Sequence, residues 1–210
     1  MKLQVAIDLL STQDALNLLE KVANSVDIIE LGTPLIKQEG LAVVTAIKKA
    51  YPDKIVFADM KTMDAGALEA DMAFKAGADL MSVLAAAGDS TIKGAVEAAQ
   101  KHGKGVVADV IGVADKAARV KQLAAMGVHS VELHAGLDEQ AQAGYSIDSL
   151  LKVGRSAGVP FAVAGGVNEE RIVLVEEAGA AVAVAGAAIY GAKDPGAAAK
   201  ALRAKIKNVG

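Results

Sequence analysis

The 210-residue chain is 53% hydrophobic and 22% charged with a net charge of −3, which excludes disorder and leaves no basic footprint for nucleic acid or an anionic membrane. It has no cysteine, so disulfides, thiolate metal sites and a cysteine nucleophile are excluded. Aromatics are only 3%, which argues against base-stacking platforms, while small and branched apolar residues suit a parallel sheet under closely packed helices.

The amino terminus reaches Asp8 too early for the apolar core of a signal peptide, and no apolar run approaches the ~20 residues of a membrane span. A cytoplasmic protein with one domain over residues 1–210 is expected. Short apolar runs recur about every 25 residues, each followed by a turn and a helical pattern. They predict strands over residues 3–7, 27–31, 54–58, 79–84, 105–108, 129–133, 160–163 and 181–184. Helices are predicted over 13–23, 41–50, 67–76, 90–101, 116–125, 147–156, 169–177 and 195–206. Ser11 or Thr12, and Asn168, stand where helix N-caps belong, and Gly77, Gly127, Gly158 and Gly179 precede the next strand, as left-handed helix stops do. Eight alternating units predict an α/β fold closed into a compact (β/α)8 TIM barrel. The rival, a doubly wound open sheet, calls for a glycine-rich dinucleotide fingerprint after the first strand, where the sequence is Asp8-Leu9-Leu10-Ser11.

In such a barrel the site is built from the carboxyl ends of the strands. There the sequence places Asp8, Glu30, Asp59 and Lys61, Asp109 and His134, with Asp64 in the turn after the third strand. If the strands are regular, Ala6 with Asp8, Ile28 with Glu30, Asp59 with Lys61, and Glu132 with His134 leave the same face. Acidic neighbours keep Lys61 charged, which suits stabilisation of an enolate-type oxyanion and argues against a Schiff base. Glu30 and Asp59, on adjacent strands, offer oxygen ligands for a hard divalent cation such as Mg2+, with Mn2+ as an alternative. His134 is the proton-transfer candidate; His102 and His129 read as structural or solvated. Gly165-Gly166 after strand seven and Gly186-Ala187 after strand eight are expected to present backbone N–H groups, at helix starts, to a phosphate. Phosphorylated sugars or polyols are the expected substrate class.

These residues resemble the orotidine monophosphate decarboxylase superfamily through Asp59-x-Lys61-x-x-Asp64, Gly165-Gly166 and Gly186. Within it, Ala6-Ile7-Asp8, Glu30-Leu31-Gly32-Thr33-Pro34 and Asp59-Met60-Lys61-Thr62-Met63-Asp64-Ala65-Gly66 are similar to the 3-hexulose-6-phosphate synthase branch. The resemblance runs over essentially the whole chain. It implies a Mg2+-dependent aldol addition of formaldehyde to D-ribulose 5-phosphate, and a homodimer in which Asp64 reaches into the neighbouring subunit's site. The catalytic set it implies is Lys61, His134, Asp64, Asp8 and Asp109. The alternatives are a 3-keto-L-gulonate 6-phosphate decarboxylase and a non-catalytic sugar-phosphate-binding barrel. The decarboxylase branch carries an arginine soon after the strand-six histidine and another in the last phosphate loop. Here those stretches read Ala135-Gly136-Leu137-Asp138 and Ala187-Ala188, so backbone amides are left with most of the phosphate binding.

Overall fold

A computed structural model describes residues 1–207. The elements run β1 (Lys2–Ile7), α1 (Thr12–Val22), β2 (Ile28–Leu31), α2 (Thr33–Glu39), α3 (Ala42–Ala50), β3 (Ile55–Thr62), α4 (Gly66–Lys75), β4 (Leu80–Leu84), α5 (Asp89–His102) and β5 (Gly105–Asp109). They continue with α6 (Lys116–Ala125), β6 (Ser130–His134), α7 (Leu137–Gln140), α8 (Asp148–Gly154), β7 (Phe161–Ala164), α9 (Arg171–Glu177), β8 (Val182–Ala185), α10 (Ala187–Tyr190) and α11 (Pro195–Lys205). The strands pair in parallel in sequence order and β8 closes on β1, with Lys2 opposite Val182 and Val5 opposite Ala185. The predicted barrel is therefore observed and the open sheet is excluded. No helix among the described residues is long and apolar enough to cross a membrane.

Alternation along each strand divides the core. Outward residues such as Leu3, Val5, Ile7, Ile29, Leu31, Val56, Met81 and Val83 are buried against the helices. Inward, Ile28, Phe57 and Val107 pack with Ile55, Leu80 and Val182 into an apolar plug. Two residues further along β2, β3, β4 and β5 the inward positions turn polar, as Glu30, Asp59, Ser82 and Asp109, all buried. The plug thus forms the floor on which a charged layer stands, at the carboxyl-terminal end of the barrel.

Helix caps follow the sequence signals. Ser11 accepts the amide N–H of Asp14 at the start of α1, and Asn168 accepts those of Glu170 and Arg171 ahead of α9. Gly77, Gly127, Gly158 and Gly179 all take positive φ. The short helices α2, α7 and α10 are additions to the predicted pattern, each too brief to show a helical period. Two helices approach unusually closely. A Cβ on Gly66 would lie 1.9 Å from the backbone oxygen of Thr91, and one on Gly94 would lie 3.3 Å from the amide of Ala67. Backbone cannot yield as a side chain does, so Gly66→Ala forces α4 and α5 apart. We expect it to destabilise by about 3 kcal/mol, at the upper end for an overpacked core, and to lower Tm by roughly 6–12 °C in a calorimetric scan.

Candidate active site

Asp59 and Asp109 grip Lys61 from two sides. Its ammonium lies 2.9 Å from Asp59 Oδ2 and 2.8 Å from Asp109 Oδ2. Asp59 is itself fixed, accepting the hydroxyl of Ser82 at Oδ1 (2.7 Å) and that of Thr33 at Oδ2 (2.7 Å). Asp109 accepts the amide of Ile111 at Oδ1 and meets His134 Nδ1 at 2.9 Å through Oδ2. His134 Nδ1 also lies 3.4 Å from Glu132 Oε1, while Glu132 Oε2 is buried without a partner among the described residues. Glu30 accepts the side-chain amide of Gln4 at 2.6 Å.

The backbone at Lys61 departs from the regular strand on which the same-face argument rested. Its φ is +46°, the β3–β4 register shifts between Ala58 and Thr62, and its amide donates to Ser82 Oγ instead of continuing the ladder. A side-chain-bearing residue in the left-handed region costs of order 1–3 kcal/mol and persists only where surroundings impose it. Here the two carboxylates and Ser82 impose it. Lys61 and Asp59 converge, but through an irregular strand end.

The charges are unevenly settled. Burial drives Glu30 well above the ordinary carboxylate range, with repulsion from Asp59 adding to it and the Gln4 hydrogen bond opposing. Burial raises Glu132 likewise, reinforced by Glu30 and Asp109. Asp8, at the mouth, is raised by burial and by Asp59. For Lys61, burial alone would lower the pKa, yet Asp59, Asp109 and Glu132 outweigh it and hold the ammonium above its ordinary value. Burial would also lower His134, but the hydrogen bond and charge of Asp109 raise it. Asp109 is lowered in spite of burial because His134 and Lys61 both favour its anion.

At β7 the chain passes through Gly165 (φ +109°) and Gly166 (φ +71°). A Cβ at Gly165 would stand 2.5 Å from the backbone oxygen of Ala135, so both conformation and space demand glycine there. Of the two helix starts expected beside the phosphate site, the one after β7 takes a different form, while the one after β8 is present but brief. Residues 165–170 are loop, α9 begins only at Arg171, and α10, directly after Gly186, has four residues. Among the described residues, the backbone N–H groups of Gly166, Val167 and Ala187 have no acceptor. Asp64 is exposed, its Oδ1 2.7 Å from the amide of Ala65, and stands apart from the charged layer between the exposed apolar residues Met63 and Leu68.

A family model described as "Orotidine 5'-phosphate decarboxylase / HUMPS family" matches residues 1–202. The chain belongs to this family. It is 68% identical over 206 residues to 3-hexulose-6-phosphate synthase from Mycobacterium gastri, covering 98% of this chain and 100% of that one. A crystal structure of 3-hexulose-6-phosphate synthase superposes with a TM-score of 0.97 at 68% identity, over 98% of this chain and 100% of the other. A 3-keto-L-gulonate-6-phosphate decarboxylase from Vibrio cholerae O1 biovar El Tor str. N16961 follows at a TM-score of 0.86 and 31% identity, over 97% and 96%. The similarity to the synthase branch of the family read from the motifs is thus borne out, and the decarboxylase is the more distant neighbour.

Within this family member, sequence reasoning located the ion-paired core but missed its supports. Glu132 was visible only as the same-face partner of His134, two residues earlier on β6. The structure places it inside the barrel with Asp109 and His134, a group of three whose ligand atoms lie within 4.8 Å of one another and could hold a metal ion. Gln4 and Ser82 carried no signal, because a lone amide or hydroxyl in a strand is indistinguishable from a surface residue, and Thr33 stood in a motif without a role of its own. Gly32 had a steric reason that only coordinates reveal: a Cβ there would lie 2.1 Å from Asp8 Oδ1.

Proposed function

We propose that this chain, an aldehyde-lyase, condenses formaldehyde with D-ribulose 5-phosphate to give D-arabino-3-hexulose 6-phosphate. The observation that carries this is the pairing of a doubly salt-bridged Lys61 with a His134–Asp109 dyad in one buried mouth. Asp109 occupies Nδ1 of His134, which leaves Nε2 free to remove a proton from C1 of the ketose. The resulting C1–C2 enediolate places negative charge on oxygen, and the fixed Lys61 ammonium stabilises it. The C2 oxygen's charge re-forms the ketone as C1 attacks the formaldehyde carbon; the new C–C bond forms while the formaldehyde π bond breaks, and the formaldehyde oxygen becomes an alkoxide. The proton carried by the His134 imidazolium returns to that alkoxide. Asp8 orients Lys61 or the substrate hydroxyls. The N–H groups of Gly165, Gly166, Gly186 and Ala187 receive the phosphate.

A divalent cation fits this acid-rich layer. Glu30 and Asp59 are buried and mutually repelling, and Glu132 has an unpartnered oxygen. Mg2+ would be held by Glu30 and Asp59, which offer only oxygen, whereas the Asp109–Glu132–His134 group brings an imidazole, a donor less suited to this hard cation. When bound, the ion supplies Lewis-acid polarisation of the ketose oxygens. Metal ligation needs ionised carboxylates, and Glu30 is raised by burial. A raised acid favours the metal-free fold while protonated, and that contribution fades as pH rises through the folded value. Added Mg2+ should therefore raise Tm more at pH 8 than at pH 5.5. An equal or reversed difference in calorimetric scans would argue against carboxylate ligation.

The active unit is a homodimer in which Asp64 serves the neighbouring site, and the protein works in the cytoplasm. Exposed Met63 and Leu68 beside Asp64 support a covered surface there. Mixing the inactive variants Asp64→Ala and Lys61→Ala should restore about a quarter of the wild-type rate, because random pairing rebuilds one intact site in half of the dimers. No recovery would sink the shared site. The test of the reaction itself is proton NMR with ribulose 5-phosphate, 13C-formaldehyde and Mg2+, with and without chelator. Labelled hexulose that disappears with chelator supports the proposal; carbon dioxide from 3-keto-L-gulonate 6-phosphate as the better reaction refutes it.

A further inference from the structure

The loop after β7 is held by two residues outside the charged layer, Tyr145 and Arg171. Tyr145 donates its hydroxyl hydrogen to the carbonyl of Gly165 at 3.0 Å. Arg171 donates Nη1–H to the carbonyl of Gly166 at 2.9 Å, and its guanidinium lies 5.9 Å from the centre of the Tyr145 ring. Gln140 closes the same corner by donating to the carbonyl of Ala135, the atom that excludes a Cβ at Gly165.

In a planar trans peptide the C=O and N–H point opposite ways. Pinning the Gly165 carbonyl therefore aims the Gly166 amide away from Tyr145, and pinning the Gly166 carbonyl aims the Val167 amide away from Arg171. Neither amide donates to a protein acceptor among the described residues, so both are free to donate to an anion at this half-open loop, where Gly165 is half-buried and Gly166 exposed. Positive φ at both glycines makes the loop intrinsically free to adopt other shapes. Something outside it must select this one.

We infer that Arg171 and Tyr145 are positioning residues for phosphate recognition, locking the Gly165–Gly166 carbonyls so that two amides face the substrate phosphate from the opposite side. The cation does more than hold: a charged donor on the carbonyl polarises the following peptide, so its N–H binds an anion more strongly. This explains how the chain manages without an arginine in its eighth loop, where Ala187-Ala188 stand. Tyr145, between α7 and α8, adds a tie from the segment that follows His134. The inference rests on the phosphosugar reading above.

The test compares wild type with Arg171→Met, Arg171→Lys and Tyr145→Phe, using calorimetric titration with ribulose 5-phosphate and steady-state kinetics. Loss of one charged hydrogen bond predicts an affinity for ribulose 5-phosphate about tenfold weaker in Arg171→Met. Its KM should rise in parallel, while kcat and the KM for formaldehyde stay near wild type. Arg171→Lys, which keeps charge but not the planar fork, should recover part of the loss. Tyr145→Phe should weaken binding by about threefold, as for a neutral hydrogen bond. Unchanged affinity in Arg171→Met, or equal damage to both substrates' KM values, overturns the inference. If Arg171→Met does not fold, Tyr145→Phe decides, since it deletes one hydroxyl. A wild type that binds the phosphosugar but yields no hexulose would refute the proposed reaction alone. Normal synthesis with unmoved affinities in the variants would refute this inference alone.

Discussion

Replacing Lys61 with methionine should abolish turnover, with kcat reduced by about 10^3-fold or more, as when the main oxyanion donor of an active site is removed. The side chain is comparable in length, so the loss isolates the charge. Two effects act together. The enediolate loses the cation held ready between Asp59 and Asp109, and the two carboxylates are left facing one another and the substrate's developing charge. Unpaired buried anions cost several kcal/mol unless they take up protons. Asp109, now lowered by His134 and Lys61, would lose one of those supports. The measurement is hexulose formation by NMR at saturating substrates, with circular dichroism to verify the fold. A methionine variant retaining more than about a tenth of the wild-type rate would show that stabilisation worth more than ~1.4 kcal/mol does not come from the ammonium. Arginine is not a conservative rescue here. Its planar fork does not fit a pocket where Asp59 and Asp109 converge on one small ammonium, carried by a left-handed backbone whose amide Ser82 Oγ holds.

That left-handed residue also marks where sequence reading stops. The barrel was legible because strand and helix periods alternate eight times, and because Gly77, Gly127, Gly158 and Gly179 punctuate the helices where the backbone turns left-handed. Asp8, Glu30, Asp59, Asp109 and His134 were legible because charge at the end of an apolar strand is costly without a purpose. Lys61 was located by the same argument, but its geometry was not, since a strand's alternation carries no record of a register shift. Glu132 shows the complementary limit. It lies within its strand, two residues before the end, so attention to strand ends passed over a buried carboxylate that meets His134. Arg171 and Tyr145 were invisible for a third reason: each is an ordinary residue at an exposed-looking position, and their meaning lies in which carbonyls they touch. Glycines were read as phosphate contacts, whereas the residues holding those glycines in shape lie 5 and 20 positions away and outside any motif.

His134→Gln should lower kcat by about 10^2- to 10^4-fold, the range for loss of a positioned general base. In deuterium oxide, without formaldehyde, it should also stop exchange of a C1 hydrogen of ribulose 5-phosphate. That second readout separates proton removal from carbon–carbon bond formation. The pH profile then tests the dyad. His134 acts as base in its neutral form, and Asp109 raises its pKa by hydrogen bond and charge, so kcat/KM should fall on the acid side of a pKa above 6.5, the ordinary value. Asp109→Asn removes that charge. The burial that opposes it remains, so the acid limb should move to lower pH even as the maximal rate drops. A merely structural aspartate would reduce the rate without moving the limb. An Asp109→Asn profile whose acid limb stays in place, or moves upward, would exclude His134 as the group titrating there. The assignment of Nε2 would fall with it, because the only acceptor fixing Nδ1 at hydrogen-bond distance is Asp109 among the described residues. Glu132, at 3.4 Å, is too distant to take its place.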